Sequence, residues 1–429
     1  MKRVLIICYY WPPAGGPGVQ RWLKFVKYFR DFGVEPVLYI PKNPNYPVTD
    51  TSLSEEIPKG LEVLQKKIRE PYKYAQLFSK KKTQKMSSGI IEEKNPSALE
   101  KLMLFARGNL FIPDARVGWV RPSVAFLKNY LTENKDIETV ITTGPPHSLH
   151  LIGMQLKENL GIRWIADFRD PWTTIHYHKS LRLTKSAQKK HKRMEREVLQ
   201  SADTIVVTSP STQRDFQKMT NRPVALITNG FDTISLDEKI NRDEKFSLVH
   251  IGSLLSNRNP KLLWETLSEI CLENAQFKED LVIKLVGLVS KEVKDTIASV
   301  GLSEKLELPG YVSHQEAQQY QHKAQVLLLV EMNKAETQVI LPGKLFEYLR
   351  AKRPILAIGP EGSDIEPILE DVGAGVFFGY SDKEKLKEQL IQHYQNYQDN
   401  ALENLSVAIE QYHRKALTEK YAQLIKRLS

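Results

Sequence analysis

The stretch Leu341–Ile358, LPGKLFEYLRAKRPILAI, decides the reading of the fold. Pro342 and Gly343 punctuate the backbone, and Leu345, Tyr348 and Leu349 then recur at helical spacing, so a helix is predicted over Lys344–Lys352. Pro354 stops it, and Ile355, Leu356, Ala357 and Ile358 read as a strand buried on both faces. The helix N-terminus carries unpaired amides and a partial positive charge, to which Lys344 adds a full one. Such a corner suits an anion, phosphate above all. Glu347, one turn further in, can accept hydrogen bonds from two hydroxyls. Phosphate contacts beside a diol acceptor are what a ribonucleotide needs. An ordinary α/β unit with a charged helix face is the competing reading.

Outward from this stretch, strands and helices alternate. Val4–Tyr10 reads as a first strand and runs into WPPAGGPGVQR, where Gly15, Gly16 and Gly18 let the backbone approach a ligand at a helix start. That helix, to about Phe32, turns Val19, Trp22, Leu23, Val26 and Phe29 inward and closes at Gly33. Further strands are expected at Val37–Ile40, Val140–Ile141, Ile162–Ala166, Thr204–Thr208 and Val224–Ile227, with a very basic helix over Lys179–Gln200. After a polar linker at about 233–245 the pattern restarts, with strands at Phe246–Ile251, Leu281–Val286, Leu306–Leu308 and Val326–Val330. Residues 42–118 show little periodicity, and the lysine-rich segment around 80–89 reads as a mobile loop. Two doubly wound parallel-sheet domains follow, with ligands expected at the carboxyl ends of the strands.

Composition agrees with that division. A chain of 429 residues exceeds the size at which one core stops growing. Residues 1–235 hold 37 Lys and Arg against 22 Asp and Glu, whereas the remainder is mildly acidic. The expected domains are therefore 1–235 and 246–400, with helices in 401–429. A basic half suits nucleic acid, an anionic membrane surface or a phosphorylated substrate. Cys8 and Cys271 lie in separate apolar runs without metal-like spacing, which fits a reducing cytoplasm. The N-terminal MKRVLIICYYWPP is too short in its apolar run for a signal peptide and is read as a strand. No apolar stretch approaches membrane-spanning length.

The candidate chemistry sits in loops that follow strands. Arg258, after the Gly252-Ser253 turn, can clamp a diphosphate; a surface arginine is the alternative. The sequence DFRD ends an apolar strand, so Asp167 or Asp170 can orient Arg169, act as a base or bind a sugar hydroxyl, with structural ion pairing as the competing account. His147 in GPPH is either a sugar contact or, on the competing account, a cap or a surface residue. Neither an Asp-any-Asp pair nor a Cys/His cluster points to a metal, so no metal site and no cofactor are expected. Cations and helix ends would then stabilise a leaving group.

Together these pieces resemble glycosyltransferases of the GT-B fold, specifically the large family four of retaining enzymes. The matching segments, in family order, are YYWPPAGGPGVQR, ITNGFD, IGSLLSNRNP, GYVSHQEAQQYQHKAQVLLL and LPGKLFEYLRAKRPIL. The resemblance implies two facing Rossmann-like domains, the first for the acceptor and the second for a nucleoside-diphosphate sugar, with UDP or GDP as the expected nucleotide. It implies that Glu347 binds the donor ribose, that Arg258 and Lys261 form the basic pair at the diphosphate, and that Tyr311 and Val312, after Gly310, lie near the base. Gly15, Gly16 and Gly18 would lie near the diphosphate and acceptor, and the C-terminal helices would cross back to the first domain. Two departures stand out. Val339 occupies the position of a second family glutamate, and the usual first-domain histidine is met only by Asp167 or His147. The implied activity is metal-independent, retaining sugar transfer to a glycan or lipid-linked acceptor, in the cytoplasm or at the inner membrane face. A non-catalytic sugar-nucleotide-binding relative is the alternative. A nicotinamide oxidoreductase lacks its glycine fingerprint and the acid after strand two, and nucleic-acid binding lacks aromatic platforms interleaved with the charge.

Overall fold

The computed structural model describes residues 1–68, 70, 98–175, 178, 181–233, 241–402 and 407–428. The lysine-rich segment around 80–89 and part of the linker lie outside the described residues. By contacts the chain separates into two units, Met1–Asn229 with Arg414–Ser429, and Gly230–His413.

The first unit is built on a seven-stranded, all-parallel sheet. Its strands are β1 (Lys2–Ile7), β2 (Val34–Lys42), β3 (Glu62–Lys67), β4 (Thr139–Gly144), β5 (Arg163–Phe168), β6 (Thr204–Val207) and β7 (Val224–Leu226). Their spatial order is β3-β2-β1-β4-β5-β6-β7. The second unit carries β8 (Phe246–Ile251), β9 (Leu281–Val286), β10 (Leu306–Gly310), β11 (Val326–Val330), β12 (Ile355–Ile358) and β13 (Gly375–Phe378), in the order β10-β9-β8-β11-β12-β13. In both sheets the order reverses beside the first strand, at β1/β4 and at β8/β11. A crevice opens at such a point, beyond the carboxyl ends of the strands.

Crossover helices cover both faces. In the first unit they are α1 (Pro17–Tyr28), α2 (Ala98–Asn109), α3 (Val120–Glu133), α4 (Ser148–Leu160), α5 (Lys185–Ser201) and α6 (Pro210–Met219). The second unit has α7 (Lys261–Glu273), α8 (Ala275–Asp280), α9 (Lys291–Ser299), α10 (His314–Lys323), α11 (Gly343–Ala351), α12 (Ile365–Val372) and α13 (Lys383–Gln398). The last helix, α14 (Arg414–Arg427), belongs to the first unit, where Leu417, Tyr421, Ala422 and Ile425 pack with Trp22, Phe25 and Phe29 from the α1 side.

The central strands β4, β6, β11 and β12 are buried along their whole length; β11 and β12 are unbroken apolar runs, whereas β4, TVITTG, and β6, TIVV, bury threonines as well. Edge strand β3, EVLQKK, is largely exposed. Its polar composition is why residues 42–118 carry no strand signal. The basic helix begins at Lys185 rather than Lys179, because the Thr184 side chain accepts from the Ala187 amide and caps it there. Helix α10 opens on a complete capping box between Ser313 and Glu316. Among the described residues no helix is long and apolar enough to cross a membrane.

Candidate functional site

In the second unit, α11 is anchored to the end of β8 by two of its own side chains. The Ile251 amide donates to Tyr348 Oη at 3.0 Å. Lys344 lies on Gly252, close enough that a β-carbon there would stand 3.1 Å from Nζ. Gly252 itself has φ +109°, and Gly287 packs so closely on its carbonyl that a side chain at Gly287 would collide with backbone. The loops after β8 and β9 are thus pressed together beneath the first turn of α11.

Arg258 enters from the same side. Its Nη2 stands 3.4 Å from Oε2 of Glu331, the residue that follows β11. Glu331 is buried, and its carbonyl accepts from Tyr380 Oη at 2.7 Å. Burial pushes the Glu331 carboxyl up, against the pull of Arg258 and Lys344. Burial likewise draws Lys344 down to about 8, partly resisted by Glu331 and Glu347. His250, inside β8, is held well below its usual range by burial and by Lys344, and its Nδ1 faces the Leu328 carbonyl at 2.9 Å. Glu347 is half-buried, and its Oε2 accepts from Nε2 of the buried Gln321 at 3.0 Å. Two cations, a buried carboxylate, a half-buried carboxylate and a helix N-terminus therefore meet at the carboxyl ends of β8 and β11.

The other expected donor contacts are placed differently. Lys261 opens α7, is exposed, and makes no ion pair among the described residues. Tyr311 is 96% exposed, whereas Val312 packs on the cluster that includes Tyr348 and Phe346. Val339 is half-buried and follows the short 3-10 turn Ala335–Thr337.

In the first unit, Gly15 and Gly16 lie between β1 and α1, Gly16 caps the helix with φ +101°, and Gly18 is in its first turn. Gly15 donates to the Val48 carbonyl at 3.0 Å. The space above Gly18 is filled from within, since a β-carbon there would fall 1.7 Å from Arg169 Nη1. The Arg169 side chain reaches back to the Pro145 carbonyl. Asp167 does not orient Arg169 through a hydrogen bond. Its Oδ2 accepts instead from Arg21 Nη2 at 3.3 Å, and Arg21 also donates to the carbonyls of Ile227 and Thr228. Asp167 is wholly buried and its carboxyl is raised by burial, so it faces Arg21 and Tyr421 rather than solvent. Asp170 is half-buried beside Arg169 and is also raised by burial.

His147 precedes α4 and is buried, its ring stacked on Trp172 at 5.1 Å. It does not cap α4 with its side chain. Asp114 does so, accepting from the Ser148 amide and hydroxyl, each at 2.9 Å. Neither ring nitrogen of His147 has a hydrogen-bond partner among the described residues. One turn on, His150 Nδ1 is hydrogen-bonded with Thr142 Oγ1 at 2.9 Å, and the same hydroxyl accepts from Trp164 Nε1. Burial lowers His150 to about 3 and takes His147 well below its usual range.

Sequence reasoning overlooked Glu331, Arg21 and His150. Glu331 had the same signal that singled out DFRD, an acid ending an apolar strand. Arg21 and His150 had none, because each is a polar residue within an otherwise ordinary helix.

Both sheets, with their flanking helices, define the GT-B fold. Sucrose-phosphate synthase from Thermosynechococcus elongatus has this architecture, with 13% identity, coverage of 100% of this chain and 99% of that one, and a TM-score of 0.60. A glycosyltransferase from Rickettsia africae is similar at 12% identity, 100% and 99% coverage and a TM-score of 0.61. So is WaaG, a glycosyltransferase of lipopolysaccharide biosynthesis, at 14% identity, 98% and 99% coverage and a TM-score of 0.55. No protein-family model and no curated protein sequence matches the chain.

Proposed function

We propose that the chain is a glycosyltransferase of the family-four type, transferring a sugar from a nucleoside-diphosphate donor to a glycan or lipid-linked acceptor in cell-surface polysaccharide or glycoconjugate synthesis. The observation that carries this is the convergence of Arg258, Lys344 and Glu347 at the N-terminus of α11. Two cations and helix amides suit a diphosphate, and Glu347, held by Gln321, suits a ribose diol. In this reading Glu331 positions Arg258 and keeps Lys344 charged.

As the bond from the sugar to the diphosphate breaks, charge grows on the leaving oxygen. Arg258, Lys344 and the α11 amides stabilise it there. That oxygen accepts the acceptor's proton on the same face, so the configuration is retained without a metal. UDP and GDP are the expected donor nucleotides. Asp170 and His147 serve the acceptor, Asp167 acts through Arg21, and Lys261, Tyr311 and Val312 border the donor. Exposed Lys189, Lys190, Lys192, Arg193 and Arg196 on α5 favour work at an anionic membrane face on the cytoplasmic side.

A thermal-shift panel of UDP, GDP, ADP and TDP tests donor binding. A nucleotide at about 100 times its dissociation constant adds roughly 2.7 kcal/mol of stability. No response to any nucleotide would sink the proposal. Val339, standing where the resemblance expects a glutamate, favours a second reading as a non-catalytic sugar-nucleotide binder. Tight nucleotide binding with neither transfer nor donor hydrolysis would select it.

A further inference from the structure

The first unit has a part-open cavity of about 90 Å³ beside the start of α4. His147 lines it, 7% exposed, with both ring nitrogens unpartnered among the described residues. Around it stand Arg107 from α2, Arg116 and Asp114 from the following loop, Tyr10 after β1, and His178. The walls are rich in donors. Two guanidiniums, two imidazoles and a phenol line it beside the Asp114 carboxylate, which is already committed to Ser148 and to the Arg116 amide, while a second carboxylate, Glu70, is paired with Arg116. Arg116 is held in place by Glu70 at 3.5 Å and by the Tyr9 ring, 4.6 Å from its guanidinium carbon.

We propose that this cavity binds a single phosphoryl group carried by the acceptor substrate. Donors approach from several elements and so match the oxygens of a tetrahedral group better than the two of a planar carboxylate. Naming the acceptor as its source rests on the glycosyltransferase reading; the phosphoryl chemistry rests on the cavity alone.

His147 reports occupancy. Burial and the cationic or imidazole groups around it, namely His150, Arg169, His178 and His191, keep it neutral. Arg107, Arg116 and Asp114 also line the cavity, Glu70 is paired with Arg116, and Glu195 accepts from the amide of Trp172, on which the His147 ring stacks. A bound phosphoryl group adds negative charge beside the ring and raises its pKa.

The test follows the imidazole resonances of the full chain by NMR, with His147 assigned through His147→Gln. Inorganic phosphate, phenyl phosphate and an uncharged methyl glycoside are titrated in turn. Phenyl phosphate should shift His147 saturably and raise its titration midpoint by a unit or more, and the glycoside should do neither. Arg107→Gln should weaken the phenyl phosphate response at least tenfold, and Arg107→Lys should restore part of it. Lys344→Ala should leave this response intact while abolishing the response to UDP, which separates this site from the donor site. A response to inorganic phosphate but not to phenyl phosphate overturns the acceptor assignment. No movement of His147 with either probe, or movement unchanged in Arg107→Gln, overturns the site.

Discussion

Arg258 Nη2 lies 3.4 Å from Glu331 Oε2, and the Glu331 side chain is 2% exposed. Lys344 shares that carboxylate's field without forming a salt bridge among the described residues, and burial brings it down to about 8. The bound diphosphate would raise it again, so affinity should fall roughly tenfold per pH unit above about 8 until the complex itself titrates. Calorimetric titration of UDP or GDP between pH 6.5 and about 9.5 measures this. Glu331→Gln removes the carboxylate that favours charged Lys344, and the weakening should then begin at lower pH.

The stability of the free protein should move the other way. Lys344 has a folded pKa below its unfolded value, so between about 8 and 10.5 the unfolded chain binds more protons. Stability therefore gains from this group as pH rises through that window. A flat binding profile up to pH 9.5 would remove Lys344 from the phosphate site.

Glu347 should matter to the ribose and little to the fold. It is half-buried, and its Oε2 takes one hydrogen bond from Gln321, itself linked to Arg350 Nη2 at 3.3 Å. Glu347→Ala should weaken nucleoside diphosphate binding by about 1.5–3 kcal/mol, the range for a hydrogen bond to a charged group. The same variant should bind inorganic pyrophosphate as the parent does. Equal losses for both ligands would mean that the substitution disturbs α11 rather than the diol.

The opening of α11 was legible because proline, glycine and a periodic apolar face act locally, and the helix appears at Gly343–Ala351. Central strands such as β11 and β12 were legible for the same reason, their apolar runs being long enough to bury both faces, whereas β4, TVITTG, showed only Val140 and Ile141. Edge strand β3 was not, since an exposed strand needs no apolar run. The candidate site was only partly readable. Arg258 and Lys344 follow strand ends or open a helix, but their connection through Glu331 depends on β8 and β11 being neighbours, a pairing between residues far apart in sequence. The fate of Asp167 was hidden similarly. DFRD supplies a local arginine, yet the carboxylate pairs with Arg21, 146 residues away.

That distant pair makes a prediction of its own. Arg21 and Asp167 have side chains 2% and 0% exposed, 3.3 Å apart. Asp167→Asn leaves a buried guanidinium without its counter-charge and should cost about 3–5 kcal/mol in urea unfolding. Arg21→Met should cost a similar amount. Combined with Asp167→Leu it should cost less than the sum, because neither change then strands a charge. Additive losses would show that the two side chains contribute independently.

Gly18 and Arg169 offer a sharper coupling, because one occupies the space the other leaves. A β-carbon at Gly18 falls 1.7 Å from Nη1 and 2.9 Å from the guanidinium carbon of Arg169. The obstructing atoms are the far end of a flexible side chain, so Gly18→Ala should shift Arg169 without unfolding α1, at a cost of roughly 1–2 kcal/mol. In an Arg169→Ala background the clash is absent and the helix N-terminal turn gains a better helix former, so Gly18→Ala should be neutral or slightly stabilising. A double-mutant cycle on thermal unfolding reads the difference directly. If Gly18→Ala costs the same with and without Arg169, backbone freedom at Gly18, not room for the guanidinium, is what the glycine provides.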